Sequence, residues 1–454
     1  MDDDGTLPER QPLQSPGILL VDTNRWPLGA RLASGFSDLG CRIAAVCPVP
    51  GHPITKVRGS KGIYRYDGLH PLRSLGTAIE TFGPDIIVPL CDRSVQHLHD
   101  LHARSNSEGE SDRRIRRLIE RSLGPSASYP VVSSRYDLLM LAKDLGIHVP
   151  KTVRIDSVDD LRRWENRPPW LLKASGTWGG RGVKRAETMA HGERALRELT
   201  SGVSALRLVK QLLLNRDRGW TISSLNEARP GIIAQAIVPG RPANCAVVCW
   251  EGEVLAGIAV EVVQADGPWH PAIVVQVVEG RAMLDAARRI ANRLQLTGFF
   301  GLDFMIEDGS GDLYLIEMNP RCAPPCSLNL GRGRDLLAAF WAKLTEKELP
   351  ERQAVTHRSR IAYFPQGAQR GASSTDEAQP DSAYLDVPSD EPDLVQELLH
   401  PWSDRSLLGR MLDLSRRRLS ARQATTPYFF KVTQSGSSHD AHQQEKAQTP
   451  ELRL

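Results

Sequence analysis

The sequence lacks the features that would send a chain into a membrane, out of the cell or onto a nucleic acid. No apolar run among its 454 residues is long enough to span a bilayer. The first five residues are acidic and polar, whereas a secretory signal begins with positive charge and an apolar segment. The formal net charge is only +3, which offers no general attraction for polyanions. We therefore expect a cytoplasmic protein that binds neither membranes nor nucleic acids.

The seven cysteines lack the pattern of a disulfide framework or a zinc site. Their number is odd, they are scattered, and they stand largely in apolar runs, which predicts reduced thiols. Cys322 and Cys326 could form half of a zinc site, but no second Cys or His pair has the spacing to complete it.

The chain does contain a glycine-rich loop between two apolar runs. Trp170-Leu-Leu-Lys173 delivers a lysine, glycines follow as far as Gly182, and a new apolar run begins at Val183. Glycine backbone can approach an anion closely and direct N–H groups at it. The loop has no Gly-Lys-Ser/Thr tripeptide of a Walker A motif, and its glycines do not join a strand to a helix as in a Rossmann fingerprint. The pattern predicts a flap over phosphates, with an ordinary turn as the competing interpretation.

A second motif predicts a β-hairpin. Gly301–Glu307 and Leu313–Arg321 read as strands, and Asp308-Gly-Ser-Gly-Asp312 between them has turn chemistry. Side chains in a strand alternate between two faces. This alternation places three residues on one face, namely Leu315, Glu317 and Asn319.

The predicted hairpin brings hard oxygen atoms together. With the turn centred near Ser310, Asp303 lies opposite Glu317, and Asn319 adds an amide oxygen. Mg²⁺ in proteins is usually held by one or two carboxylates plus substrate phosphates. We therefore expect a magnesium site with Arg321 beside it. For the hairpin by itself, ordinary surface acids are the competing interpretation.

The two motifs together resemble those of the ATP-grasp superfamily, which includes biotin carboxylase, carbamoyl-phosphate synthetase and D-alanine–D-alanine ligase. Lys173–Gly182 looks like the flap loop of biotin carboxylase, and Ile316–Arg321 looks like the metal-binding strand of the superfamily. The resemblance extends from about Ser133 to about Trp341. It implies an ATP-grasp fold of two α+β subdomains that uses ATP with Mg²⁺ or Mn²⁺.

The resemblance also implies roles for individual residues. Arg135, at the start of a capped helix, and Lys173 would neutralise phosphate oxygens, while Arg321 would face the transferring group. Lys173 and Arg321 are thus the expected catalytic residues, and Asp303 and Glu317 with Asn319 the expected metal ligands. The flap residues expected to contact phosphates are Ser175, Gly176, Gly179, Gly180 and Gly182.

The adenine would bind at a hinge that follows Gln235. An apolar strand with one free edge can pair with a purine edge, so the backbone of Ala236 and Ile237 is expected to contact the base. Many family members then carry an acidic residue that binds the ribose hydroxyls, but this sequence reads Arg241-Pro-Ala243 there. The segment from 208 to 229 is longer than usual and could hold an inserted hairpin.

Strands and helices alternate near the N-terminus, which predicts a parallel sheet covered by helices. The expected strands are Gly17–Asp22, Cys41–Cys47 and Pro84–Leu90, and the expected helices are Leu28–Gly40 and Ser94–His102. Ligands of such sheets bind at the C-terminal strand ends, where Asp22, Asp92 and Arg93 fall, although helix capping explains these residues equally well. Residues 103–115 look like an exposed loop.

The predicted fold class is therefore α/β and α+β, in five segments. Residues 1–16 are expected to be disordered, 17–130 to form a Rossmann-like domain, and 133–348 an ATP-grasp domain. Residues 349–433 would be an irregular C-terminal extension, and 434–454 a disordered tail.

The expected function is that of an ATP-grasp ligase, which activates a small carboxylate as an acyl phosphate and joins it to an amine-type nucleophile. A phosphotransferase on the same fold and a protein that binds ATP without turnover are the alternatives. The irregular extension favours the second alternative mildly, and the intact set of metal ligands argues against it. The two substrates and the oligomeric state stay open, and Trp269 and His270 are candidates for the acceptor pocket.

Overall fold

The computed structural model describes residues 13–105, 109–175, 182–200, 231–265, 267, 271–371 and 382–401, without the side chains of residues 60 and 61. Three β-sheets organise these residues. Within the described ranges, none of the helices has the length and apolar character needed to cross a membrane. Each of the seven cysteines is a buried free thiol, as the sequence predicted.

The first sheet is parallel and has the strand order β3-β2-β1-β4. Its strands are β1 (Gly17–Val21), β2 (Arg42–Cys47), β3 (Ser60–Arg65) and β4 (Ile86–Pro89), with helices α1 (Leu28–Asp38), α2 (Pro71–Phe82), α3 (Asp92–Arg104) and α4 (Glu110–Leu123). Side chains on both faces of β1 are fully buried, because helices cover both sides. The predicted Rossmann-like sheet is confirmed.

The exposed loop predicted at 103–115 is wrong for its second half. Helix α4 begins at Glu110, and its Ile115, Leu118 and Ile119 are buried against the parallel sheet. The charged residues of this stretch occupy the outer face of an amphipathic helix, and their density conceals its apolar spacing.

The second sheet is antiparallel and carries both ends of the glycine-rich loop. Helices α5 (Tyr129–Ser133) and α6 (Arg135–Asp144) precede it, and Ser134 caps α6 by accepting a hydrogen bond from the N–H of Asp137. The order is β5-β8-β6-β7. The elements are β5 (Thr152–Ile155), α7 (Val158–Arg163), β6 (Trp170–Ala174), β7 (Val183–Ala186), α8 (Met189–Thr200) and β8 (Ile232–Ala236).

The third sheet has seven strands in the order β13-β12-β9-β10-β11-β14-β15. Its first members are β9 (Gly240–Trp250), β10 (Glu253–Ala265), β11 (Ala272–Val278), β12 (Gly298–Glu307) and β13 (Leu313–Asn319), with α9 (Arg281–Leu294) and α10 (Leu336–Thr345). One face packs on α6 and α9, and the other on α10 and α1. The parallel sheet therefore lies beside the face that bears α10.

Two strands beyond residue 349 belong to this third sheet. Strands β14 (Arg360–Tyr363) and β15 (Tyr384–Asp386) extend it at the edge of β11, with α11 (Gln366–Gln369) and α12 (Pro392–Leu399). The guanidinium of Arg31 contacts Asp386, and Glu391 accepts the N–H of Arg58 at 3.2 Å. The segment is thus tied to the first domain as well. Residues 402–454, which include the end of the predicted extension and the predicted tail, lie outside the described residues.

Candidate active site

The hairpin of β12 and β13 places Asp303 directly opposite Glu317, in the register that the turn chemistry predicted. Asn319 lies beside them, and its Nδ2 donates to Asp303 Oδ2 at 2.8 Å. The prediction for Leu315 is wrong, because a β-bulge next to Asp303 pairs Leu315 with Phe304. Leu315 is therefore fully buried in the core and not on the face of Glu317.

Asp303 is held between two amides. Asn244 Nδ2, on the neighbouring strand β9, lies 2.5 Å from Asp303 Oδ1, while Asn319 holds the other oxygen. Burial, followed by the nearby carboxylate of Glu317, raises the pKa of Asp303. A cation beside these two carboxylates would offset both effects. Asn244 was not identified from the sequence, because its closeness to Asp303 depends on strand pairing.

The donor set fits Mg²⁺ or Mn²⁺, provided that phosphate oxygens complete it. In the described part of the chain, no group of three or more His, Cys, Asp or Glu side chains is placed to hold a metal ion. Asp303 and Glu317 supply two carboxylates, which is the usual protein share of a magnesium site. Asn319 presents Nδ2 to Asp303 and uses its Oδ1 to accept from Arg321, so its amide must turn over to become a ligand.

Two cationic side chains from different elements lie near Glu317. The Nε and Nη2 atoms of Arg135 lie 2.9 and 2.5 Å from Glu317 Oε1, and Nη1 donates to the carbonyl of Ala174. Lys173, near the end of β6, is 3% exposed. Burial lowers the pKa of Lys173 to about 8. The carboxylates of Glu317 and Asp303 act in the opposite direction and raise this pKa, whereas Arg135 lowers it further. Lys173, Arg135 and the hairpin acids therefore form one electrostatic cluster.

The ends of the glycine-rich loop adjoin this cluster. Ala174 donates its N–H to the carbonyl of Gly182 at 2.9 Å, and Ser175 donates to Gly231 at 2.8 Å. Gly176, Gly179 and Gly180 lie outside the described residues, as do Trp269 and His270.

Arg321 connects the hairpin to the first domain. Its Nε donates to Asp92 Oδ2 at 3.0 Å, and its Nη2 donates to Asn319 Oδ1 at 3.0 Å. The ring of Trp26 lies 5.9 Å from the guanidinium carbon. Asp92, the first residue of α3, is thus brought to the site, whereas Asp22 pairs with buried His52 at 3.2 Å. Trp26 gave no signal in the sequence.

The predicted hinge differs from expectation in one respect. Strand β8 has no free edge, because it pairs with β5 on one side and β6 on the other. Gln235 is buried and donates to Thr152 at 3.3 Å, and the N–H of Ala236 donates to the carbonyl of Lys151 at 2.8 Å. Ile237 is the first residue beyond the strand.

Comparisons with known proteins support the predicted fold. Residues 213–325 match the family model of the ATP-grasp domain. A search of curated proteins finds no significant match.

Three similar solved structures are ligases or carboxylases. N5-carboxyaminoimidazole synthetase from Staphylococcus aureus, complexed with ADP, is 14% identical, covers 75% of this chain and 80% of its own, and has a TM-score of 0.52. Biotin carboxylase from Campylobacter jejuni, complexed with an ATP analogue, is 14% identical over 74% of this chain and 72% of its own, with a TM-score of 0.52. L-amino acid ligase from Bacillus licheniformis is 13% identical over 74% and 78%, with a TM-score of 0.50. The chain therefore carries an ATP-grasp domain and has the ATP-grasp fold that its two motifs predicted.

Proposed function

We propose that this protein is an ATP- and Mg²⁺-dependent ligase that activates a small carboxylate as an acyl phosphate and joins it to an amine-type nucleophile. The observation that carries the proposal is the convergence of Lys173, Arg135, Asp303 and Glu317 from four separate elements. Phosphoryl transfer requires little covalent help from the protein and much neutralisation of charge. This cluster offers charge of both signs at one place.

The two cations bind the phosphate chain of ATP in this proposal. Arg135 leaves Glu317 for phosphate oxygens and can bind two of them at once. Lys173 adds a buried positive charge near the start of the glycine-rich loop. Glu317 and Asp303 would then hold the metal ion, and the Asn319 amide would turn from Arg321 to add its oxygen. When bound there, Mg²⁺ would supply positive charge that neutralises the charge developing during transfer.

Arg321 orients the oxygens that react. Its guanidinium is held by Asp92 and by the backbone carbonyl of Cys322, so it stays oriented when the Asn319 amide turns to the metal ion. Positive charge held in this way stabilises the negative charge that gathers in the transition state. The contact with Asp92 also places the end of the parallel sheet next to the reacting groups. This arrangement supports a site for the nucleophile between the first domain and the hairpin.

The adenine contacts use the backbone beyond β8. Because the N–H of Ala236 already has a partner, Ile237 provides the backbone N–H for the base. The hydrogen bond from Gln235 to Thr152 holds the end of β8 in place.

A product screen tests the proposal. The protein is incubated with ATP, Mg²⁺ and pooled small carboxylates and amines, and products are identified by mass spectrometry. We expect ADP, inorganic phosphate and a condensed product, all absent with a folded Glu317→Ala variant. The exposed Glu279→Ala variant should retain them, since Glu279 lies at the surface and its ion-pair partner in the described part of the chain is Arg281. A stable phosphate ester with no condensed product would replace the ligase with a phosphotransferase.

A further inference from the structure

Asn244 extends the row of polar side chains on the metal-binding face by one strand. The register places Asn244 opposite Asp303, which is itself opposite Glu317. The three residues therefore lie side by side on β9, β12 and β13. Strand β9 is paired on both sides, with β12 and β10, so the backbone at Asn244 is fixed.

The amide oxygen of Asn244 is an exception in this row. Its Nδ2 lies 2.5 Å from Asp303 Oδ1, but its Oδ1 is buried and has no hydrogen-bond partner among the described residues. Buried polar atoms in native proteins nearly always have partners, so an orphaned acceptor needs an explanation. The side-chain amide of Asn319, which also contacts Asp303, differs from that of Asn244 because its Oδ1 accepts a hydrogen bond from Arg321.

The chemistry of this orphaned atom indicates what would satisfy it. A neutral amide oxygen is a hard donor, suited to Mg²⁺ or Mn²⁺, and it adjoins two carboxylates. The 2.5 Å separation between Asn244 and Asp303 is shorter than an ordinary N–H···O hydrogen bond. Because Oδ1 has no partner among the described residues to give up, turning the amide over breaks only the hydrogen bond from Nδ2 to Asp303, and the oxygen then faces Asp303 favourably only with a cation between them.

We propose that Asn244 is a further oxygen donor of the cation site, with its amide turning from Asp303 toward the divalent ion when the ion binds. In the metal-free protein, the same amide donates an N–H hydrogen bond to Asp303. Asn244 therefore stabilises the carboxylate in both states, first as a hydrogen-bond donor and then as a ligand. This inference rests on the proposed function, because the cation is the one that accompanies ATP.

Metal affinity, rather than activity, provides the test. Mn²⁺ binding is followed through the electron paramagnetic resonance signal of the free ion, in the presence of ATP, for the wild type, Asn244→Ala and Asn244→Asp. Changes next to a metal site typically cost 10–100-fold in affinity, so we expect a loss in that range for Asn244→Ala. Asn244→Asp keeps an oxygen and should bind at least as tightly as the wild type. The matched control Asn292→Ala, on the exposed side of α9, should be unchanged.

The metal-free affinity for ATP separates a ligand from a merely structural residue. It should be the same for Asn244→Ala and the wild type, whereas an equal loss with and without Mn²⁺ would overturn the inference. Unchanged Mn²⁺ affinity of Asn244→Ala would also overturn it. A wild type that binds no Mn²⁺ even with ATP would instead defeat the proposed function, so the two failures are distinguishable.

A measurement on the unaltered protein covers the case in which the variants do not fold. With asparagine labelled by nitrogen-15, we expect the side-chain amide signals of Asn244 to move when Mg²⁺ is added to the ATP complex. Signals that stay in place would overturn the inference.

Discussion

Replacing Lys173 with methionine should stabilise the ligand-free protein while removing its phosphate contact. Lys173 is 3% exposed, and burial lowers its pKa from 10.5 to about 8. Each pKa unit corresponds to about 1.4 kcal/mol, so the protonated lysine costs the folded state roughly 3 kcal/mol. Methionine keeps the apolar stem without the charge. We therefore expect the free energy of unfolding to rise by up to roughly 3 kcal/mol at pH 7.

The stability advantage of the Lys173→Met variant over the wild type should shrink as the pH rises. The folded-state pKa of Lys173 lies below its unfolded value, so between about pH 8 and pH 10.5 the unfolded chain binds the extra proton. Stability rises with pH wherever the unfolded state binds more protons. The wild type therefore recovers stability through this window, and the advantage of the methionine variant falls by roughly 1 kcal/mol between pH 7 and pH 9.

Urea unfolding of both proteins at the two pH values measures this difference. Lys184→Met is the matched control, because Lys184 stands on the neighbouring strand β7 with its side chain 44% exposed. Its effect should lie within about 0.5 kcal/mol at either pH. Calorimetry should show that Lys173→Met weakens ATP far more than adenosine. A methionine variant no more stable than the wild type at pH 7 would refute the account of Lys173 as a costly buried charge.

Three further changes follow from the same contacts. Arg135→Ala should weaken ATP binding by roughly 1.5–3 kcal/mol through the loss of a charge-assisted contact, and calorimetry that finds equal affinities would refute this role. Arg321→Ala should bind Mg²⁺ and ATP normally but turn over about 10²–10³-fold more slowly, as steady-state assays with the identified substrates would show. Ser157→Ala removes the cap of α7 and should cost about 1 kcal/mol of stability in urea unfolding with no change in turnover.

The parts of the site that could be predicted are those that local sequence determines. The turn between β12 and β13 fixes a register within one hairpin, so Asp303 and Glu317 could be paired in advance. The capped helix predicted to start at Arg135 likewise begins at that residue, as α6. Each of these features depends on contacts within a short stretch of chain.

The parts that could not be predicted depend on distant segments. Asp92 and Arg321 are 229 residues apart in the sequence, and no pattern in either segment predicts their hydrogen bond. Strand β8 is enclosed because β5 and β6 both reach it, although a single apolar run reads the same at the edge or the centre of a sheet. The bulge that buries Leu315 adds one residue to a strand whose alternation otherwise looks regular.

The fate of a carboxylate oxygen tests the central claim most directly. The substrate carboxylate found in the product screen is labelled with oxygen-18, and the inorganic phosphate released during turnover is analysed by mass spectrometry. Activation as an acyl phosphate predicts that one labelled oxygen passes from each carboxylate into phosphate, because the nucleophile displaces phosphate together with the bridging oxygen. Unlabelled inorganic phosphate formed together with the condensed product would contradict the account, because the expelled carboxylate oxygen would then have left in another species.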